Sequence, residues 1–537
     1  MIDHSRRNLA FIRTCIGLLE YAPHIEAAIS ICLVGYCTLS PTPPGSGPVA
    51  AARTFLGLWA AELAFALVLY RPHKARLLRE ARHPEPLTRA ERDALFERCL
   101  ENVPDKERYL RQWCLGADSR DIKRENVKEF FLWAFFDRDG SYRDSASVEE
   151  EVEAYLDRTE QLLGRKLPSG RGPAKSLRLT LDDVDTRYRS VIWYGIVGFV
   201  DFISYAALSL KGYRYYASSL RRTLTLFPPR LQALPSLLPF PGLKKRRSSS
   251  GEIGYWLRPH TSRTRLPIVF IHGIGIGLFP YLQFLAEIKT LDGGGDDGQV
   301  GVLALEVLSM SMRLTSPPLP QEEFIAHITA ILGQHAPEWD RFVLVSHSYG
   351  SVLTTHMLRS ETIGPRIRGV MLVDPVSLLL HLPDVAYNFT RRRPRKANEW
   401  QLWYFASMDL GVAEGLGRHF FWRENIIWKD ELATLNTVRK VGVFLSGNDL
   451  IVDTRAVARY LSCPGSLGEA PDDAPEYYKL VEDQEIDTRV TCRKTTTASG
   501  MHISWFPRLD HAQIFEHKET QEQLLGMLKE LTMDRRG

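Results

Sequence analysis

Residues 342–350 read FVLVSHSYG, and SVLTTHMLRS follows at 351–360. The first four residues have the apolar texture of a buried strand, and the last ten suit a helix. Between them Ser348 stands in a tight turn, with the small residues Ser346 and Gly350 two places to either side. Strand, sharp turn and helix with a serine at the apex is the layout of a nucleophile elbow. Such a turn lifts the Ser348 hydroxyl above the sheet and aims the Tyr349 amide at a developing oxyanion. Small flanking residues let the strand and helix backbones pass closely. Ser346 occupies the place where elbows of this kind usually carry glycine.

The surrounding sequence supplies what a serine nucleophile needs. Short apolar runs at Leu266–Ile271, Val300–Val307, Phe342–Val345, Gly369–Val373 and Val441–Leu445 alternate with helical stretches. Uniformly apolar strands separated by helices predict a parallel sheet covered on both faces. HGIGIG at 272–277 follows the first run directly, where the amides of Ile274 or Gly275 would join that of Tyr349 as oxyanion donors. The same glycines echo a dinucleotide loop, but the GxGxxG spacing is incomplete and no P-loop Lys-Ser/Thr follows. An acid and a base are then expected after Ser348, in that order. Asp449 follows the last run in SGNDLIVD, and His511 lies in LDHAQIF near the C-terminus. Asp374, ending GVMLV, is the alternative acid, because it too closes an apolar strand.

HGIGIG, SHSYG, GNDLIVD and LDHAQIF together resemble the α/β-hydrolase superfamily over residues 251–537. The whole chain resembles the fungal branch of membrane-associated α/β-hydrolases of the AB hydrolase-1 type, although residues 1–250 share only the general layout. The resemblance implies an ester-type hydrolase, esterase- or lipase-like, with no metal or organic cofactor. Acyl transfer and thioester cleavage would use the same Ser348, Asp449 and His511, and a non-catalytic membrane protein with a retained fold is a further alternative. In proteins of this build an insertion after the strand at 369–373 forms a helical cap. Here Tyr387–Trp428 holds ten aromatic residues in 42. Trp400, Trp403 and Trp422 are candidates for lining a hydrophobic substrate pocket, or else they pack the cap onto the core. The basic run 391–396 within it would face lipid headgroups or form a solvated turn.

The N-terminal quarter raises the membrane question. Residues 54–70, TFLGLWAAELAFALVLY, are apolar apart from Glu62, and Ala27–Leu39 form a shorter apolar stretch. PTPPGSGP joins the two, and basic residues flank both (Arg6, Arg7 and Arg13 before; Arg71, Lys74, Arg76, Arg79 and Arg82 after). The pattern predicts a membrane hairpin with both ends, and the catalytic domain, on the cytosolic side. Buried soluble helices are the other reading, favoured by Glu62. Val191–Leu210 carries Asp201 at its centre and reads as a buried or interfacial helix. The expected divisions are an anchor hairpin at 1–83, an accessory helical region at 84–222 and a Pro-rich basic linker at 223–250. A hydrolase core at 251–377, an aromatic-rich cap at 378–436 and the rest of the core at 437–537 complete them. Lys+Arg 68 against Asp+Glu 64 gives +4 over 537 residues, which argues against a nucleic-acid partner. Seven cysteines without a CxxC pair exclude a disulfide framework and argue against a structural zinc site. The expected partners are a membrane and a lipophilic small-molecule ester.

Overall fold

The apolar runs expected as strands form the centre of one sheet. A computed structural model describes the chain except residues 1, 41–42, 44, 140–145, 238–245, 293–296, 437–439, 469–479, 482–490 and 535–537, and the side chains of 435 and 436. Parts of the charged, glycine-rich stretches 292–298 and 464–485, which read as surface loops, and Lys244 and Lys245 of the expected basic linker lie outside the described residues. Within them nine strands pair: β1 (Arg214–Tyr216), β2 (Tyr255–Arg258), β3 (Ile268–Ile271), β4 (Val302–Leu305), β5 (Phe342–His347), β6 (Ile367–Val373), β7 (Lys440–Ser446), β8 (Arg493–Thr496) and β9 (His502–Phe506). The order is β1-β2-β4-β3-β5-β6-β7-β9-β8. The pairs between β4 and β9 are parallel, and the edges close antiparallel through β1, β2 and β8. The strands β3, β4 and β5 are buried throughout, as their uniform apolar sequence requires when helices cover both faces. Strand β8, at the edge, alternates half-buried and exposed residues.

This is the α/β-hydrolase fold, a mostly parallel sheet flanked by helices, with helical segments between β6 and β7 forming the cap (Pro383–Thr390, Ala397–Leu402, Leu410–Arg418, Trp422–Asn425 and Lys429–Asn436). In such sheets ligands bind beyond the carboxyl ends of the strands. The loops leaving β3, β5, β6, β7 and β9 there carry 272–277, Ser348, Asp374, Asp449 and His511.

The regions before the sheet are more closely joined to it than their sequence suggests. Thr88 caps the Arg89–Glu101 helix in a capping box with Glu91. The helices Lys106–Trp113, Arg124–Phe136 and Ala146–Leu163 follow. Their inward faces share one hydrophobic core with the cap and one face of the sheet, including Phe96, Trp113, Trp133 and Tyr155. The segment expected as a linker is packed as well. Phe227 lies 5.0 Å from the Phe65 ring, and Arg230 is buried in an ionic cluster.

Among the described residues three helices are long and apolar enough to cross a membrane: Arg6–Leu39, Gly47–Arg76 and Val191–Leu210. The first is far longer than the expected stretch Ala27–Leu39, since its helix runs through His24, Glu26 and Pro23. It packs alongside the second. Glu62 is buried between helices, where it accepts hydrogen bonds from Tyr188 Oη and from Val191 N at 2.8 Å. It thus caps the third helix, which is why a carboxylate is tolerated there. Asp201 faces the protein and pairs with Arg230 and with Arg313 at 2.8 Å, while Ile196, Phe199 and Phe202 on the same helix are exposed.

Candidate active site

The elbow geometry follows from its sequence. Ser348 takes φ 53°, a left-handed conformation strained for a residue with a side chain. Its amide is held by Val373 O on the neighbouring strand at 3.0 Å. Gly350 admits no side chain, because a Cβ there would stand 2.6 Å from Ile271 O. Ser346 is small enough for the position that elbows usually give to glycine, and its Oγ accepts a hydrogen bond from Thr354 Oγ1 at 2.8 Å.

Ser348 Oγ lies 2.8 Å from His511 Nε2, and His511 Nδ1 lies 2.7 Å from Asp449 Oδ2. The other Asp449 oxygen accepts the amides of Ile451 at 2.7 Å and Val452 at 3.0 Å. One oxygen thus builds the turn and the other faces the imidazole. Burial works against charge on His511, but the carboxylates around it, Asp449 first and then Asp374 and Asp510, together outweigh it and raise the imidazole to about 9. The His511 loop is itself anchored. Asp510 accepts from Leu450 N, from the His511 amide and from Asn398 on the cap.

Asp374 is within reach of the same cluster but differently engaged. Its Oδ1 accepts Ser446 N at 2.8 Å, and its Oδ2 accepts Ser446 Oγ and Ala512 N, both at 3.0 Å. The hydrogen bond to the imidazole belongs to Asp449, not Asp374. Burial and the nearby Asp449 charge push the Asp374 carboxyl up to about 7. Asp374, Asp449 and His511 have ligand-type atoms within 4.8 Å of one another. Each is engaged by hydrogen bonds with protein groups.

The 272–277 loop backs directly onto the nucleophile. A Cβ on Gly273 would stand 2.8 Å from Ser348 Cβ and 2.9 Å from His347 Nδ1. Gly273 N donates to Tyr281 Oη, which is 2.8 Å from His347 Nδ1. His347 is buried, and desolvation holds it well below its ordinary value, so its ring is neutral. Of the expected oxyanion donors, the Gly275 amide is engaged by Met310 O at 3.1 Å and is thereby removed from that role. The amides of Ile274 and Tyr349 have no protein acceptor among the described residues, and both residues line the cavity over Ser348.

That cavity is narrow, about 50 Å³, and apolar. Trp422 lines it as expected. Trp400 and Trp403 do not: they pack with Ile12 and Ile16 of the N-terminal helix, and Arg13 lies over Trp400 at 5.5 Å. Their place is taken by Trp113, Trp133 and Leu179 from the accessory region, together with Phe389 and Phe420 of the cap. Sequence reasoning missed the accessory contribution. The signal available was the aromatic face of 124–136, which demands a buried partner without naming it. The basic run in the cap is partly enclosed, with Arg392 donating to Leu450 O at 2.8 Å.

Residues 268–515 match the model of the alpha/beta hydrolase family. No curated protein matches the chain in sequence. Among solved structures it is similar to a putative lipase from Acinetobacter baumannii AYE, with 11% identity over 62% of this chain and 96% of that one and a TM-score of 0.35. A carboxylesterase structure from Nitrososphaera gargenis shows 12% identity over 55% and 98% of the two chains, with a TM-score of 0.31. For 2-hydroxy-6-oxo-6-phenylhexa-2,4-dienoate hydrolase from Rhodococcus sp. strain RHA1 the values are 14%, 52% and 96%, and 0.31. The family match and the sheet described above define residues 268–515 as an α/β-hydrolase domain.

Proposed function

We propose that the protein is a membrane-associated serine hydrolase that cleaves a carboxylic ester of a lipophilic substrate. The observation that carries this reading is the unbroken relay Ser348 Oγ, His511 and Asp449 at 2.8 and 2.7 Å, beneath an apolar cavity. Neutral His511 accepts the Ser348 proton as Oγ attacks the ester carbon, and Asp449 holds the Nδ1 tautomer and stabilises the imidazolium. The Ile274 and Tyr349 amides receive the oxyanion. Protonated His511 then gives its proton to the departing alcohol, leaving an acyl-Ser348. Water, deprotonated by His511, attacks that ester and releases the acid with Ser348 restored. Val376, Phe389, Phe420 and Trp422 form an acyl-side wall without charge. The apolar N-terminal helices hold the domain at a bilayer, with the domain on the cytosolic side according to the flanking basic residues.

The test is hydrolysis of p-nitrophenyl butyrate by the full-length protein in detergent. Wild type should show a p-nitrophenol burst equal to the enzyme present, and Ser348→Ala should fall by about 10⁶ in kcat. Equal turnover by the two proteins would remove the assignment.

A further inference from the structure

Two cavities meet at the segment Leu179–Val184. One is the narrow apolar cavity over Ser348. The other is large, about 1040 Å³, and lies at the C-terminal end of the Gly47–Arg76 helix, the second of the apolar helices. A volume of that order suits a small-molecule ligand, whereas about 50 Å³ does not.

The large cavity is charged. Arg71, Lys74 and Arg79 line it, and among the described residues none of these side chains has a hydrogen bond or an ion pair. Glu80, Arg138, Asp139 and Asp183 also line it. Arg418 is already engaged by the carbonyls of Leu77, Thr180 and Asp182, and Asp137 by Arg423. Three exposed cations without a hydrogen bond or close ion pair therefore edge a ligand-sized space directly beyond an apolar helix, at the level where lipid headgroups lie.

The two cavities share a wall. Thr180 Oγ1 is 3.0 Å from His83 Nε2, on the basic side, and 3.0 Å from Trp133 Nε1, on the Ser348 side. Beside this wall a void of about 20 Å³ touches both spaces. It shares Leu179, Thr390 and Leu416 with the Ser348 cavity, and Asp183 and Val184 with the basic one. Its neck is tight, since a Cβ on Gly417 would stand 2.5 Å from Val184 Cγ2.

From this juxtaposition we infer that the substrate is an acyl ester bearing a phosphate group, drawn from the membrane boundary. Arg71, Lys74 and Arg79 hold the phosphate, and the ester passes between Leu179–Val184 and Leu416–Gly417 to reach Ser348. A phosphate group suits the cluster of Arg71, Lys74 and Arg79 at this edge, and arginine supplies its forked donors. The inference rests on the ester-hydrolase reading above and adds the substrate class and the route.

The test uses Triton X-100 mixed micelles, free of other acyl esters, containing either 1-oleoyl-lysophosphatidic acid or 1-monooleoylglycerol, which present the same oleoyl ester with and without phosphate. The expected kcat/KM of wild type is higher for the phosphate-bearing ester by about tenfold or more. In Arg71→Gln/Lys74→Gln/Arg79→Gln that ratio should collapse towards one, with fluorophosphonate labelling of Ser348 reporting an intact fold. The single Lys74→Gln variant, expected to show a partial fall, serves if the triple variant does not fold. Absence of a preference in wild type, or a preference that survives in the variants, overturns the inference. So does stimulation of monooleoylglycerol cleavage by phosphatidylserine without any phosphate preference, which would make the cavity a headgroup anchor. A wild type that takes up fluorophosphonate but cleaves neither ester overturns the substrate class alone. One that takes up none overturns the hydrolase reading beneath it.

Discussion

Replacing Asp449 by asparagine should disable the site through proton placement rather than through loss of structure. Asp449 Oδ1 accepts the Ile451 and Val452 amides at 2.7 and 3.0 Å, while Oδ2 faces His511 Nδ1 at 2.7 Å. An asparagine that flipped its amide towards the turn would oppose Nδ2 to two N–H groups, at about 1–3 kcal/mol for each group left unsatisfied. The carboxamide oxygen therefore stays on the turn, and Nδ2 points at His511. The imidazole must then accept at Nδ1 and carry its proton on Nε2, where it can no longer take the proton of Ser348. The expected loss is about 10⁴ in kcat, equivalent to about 5 kcal/mol of transition-state stabilisation, with KM little changed. Asp374→Asn disturbs other bonds. It sets an NH2 against either Ser446 N or Ala512 N, costing about 1–3 kcal/mol of stability, and it leaves the imidazole tautomer intact. Its kcat should fall by no more than about 10², the size of a lost positioning contact. Steady-state hydrolysis of p-nitrophenyl butyrate measures both. A larger kcat loss in Asp374→Asn than in Asp449→Asn would refute the reasoning and move the acid to Asp374.

Other outcomes follow from the same geometry. Since the carboxylates around it, chiefly Asp449, together outweigh burial and raise His511 to about 9, and only the neutral imidazole acts as base, kcat/KM should climb about tenfold per pH unit below that value and level off above it. A profile flat from neutrality to about pH 10 contradicts this protonation scheme. By linkage, the stability contributed by protonated His511 is complete below its unfolded value of about 6.5 and fades as pH rises through about 9. Gly273→Ala places a methyl 2.8 Å from Ser348 Cβ and should lower kcat by about 10²–10³ by displacing the oxyanion loop, which ester kinetics at constant enzyme labelling would reveal. Asp201→Ala leaves Arg313 and part of the Arg230 charge uncompensated in the interior, and thermal unfolding in detergent should show a loss of about 3–5 kcal/mol. A shift corresponding to less than about 1 kcal/mol would mean that the cluster is open to water.

What the sequence disclosed was set by locality. The central strands are legible because burial on both faces demands unbroken apolar runs, and the elbow, the Asp449 turn and the His511 loop are each complete within a few residues. The edge strands were not legible: RKTT at β8 has no apolar pattern, and β1 and β2 are three and four residues long, so only their pairing defines them. Composition marked the cap as aromatic but carries no information on which way each ring faces. Trp422 turns to the cavity, while Trp400 and Trp403 turn to the N-terminal helix. Contacts between distant segments were the least accessible. Nothing local in Trp113 or Trp133 says that they roof Ser348, and nothing local in Glu62 says that it caps a helix far along the chain. The Gly275 expectation failed for a similar reason, because the carbonyl that engages its amide belongs to Met310, in the loop after β4.

Every catalytic role assigned above depends on Ser348 being the nucleophile. The most direct measurement is covalent labelling of the full-length protein with a fluorophosphonate probe, followed by mass spectrometry of the modified peptide. The expected result is a single phosphonylated residue, Ser348, in wild type and no labelling of Ser348→Ala. Labelling of both proteins, or a modified peptide elsewhere in the chain, would contradict it.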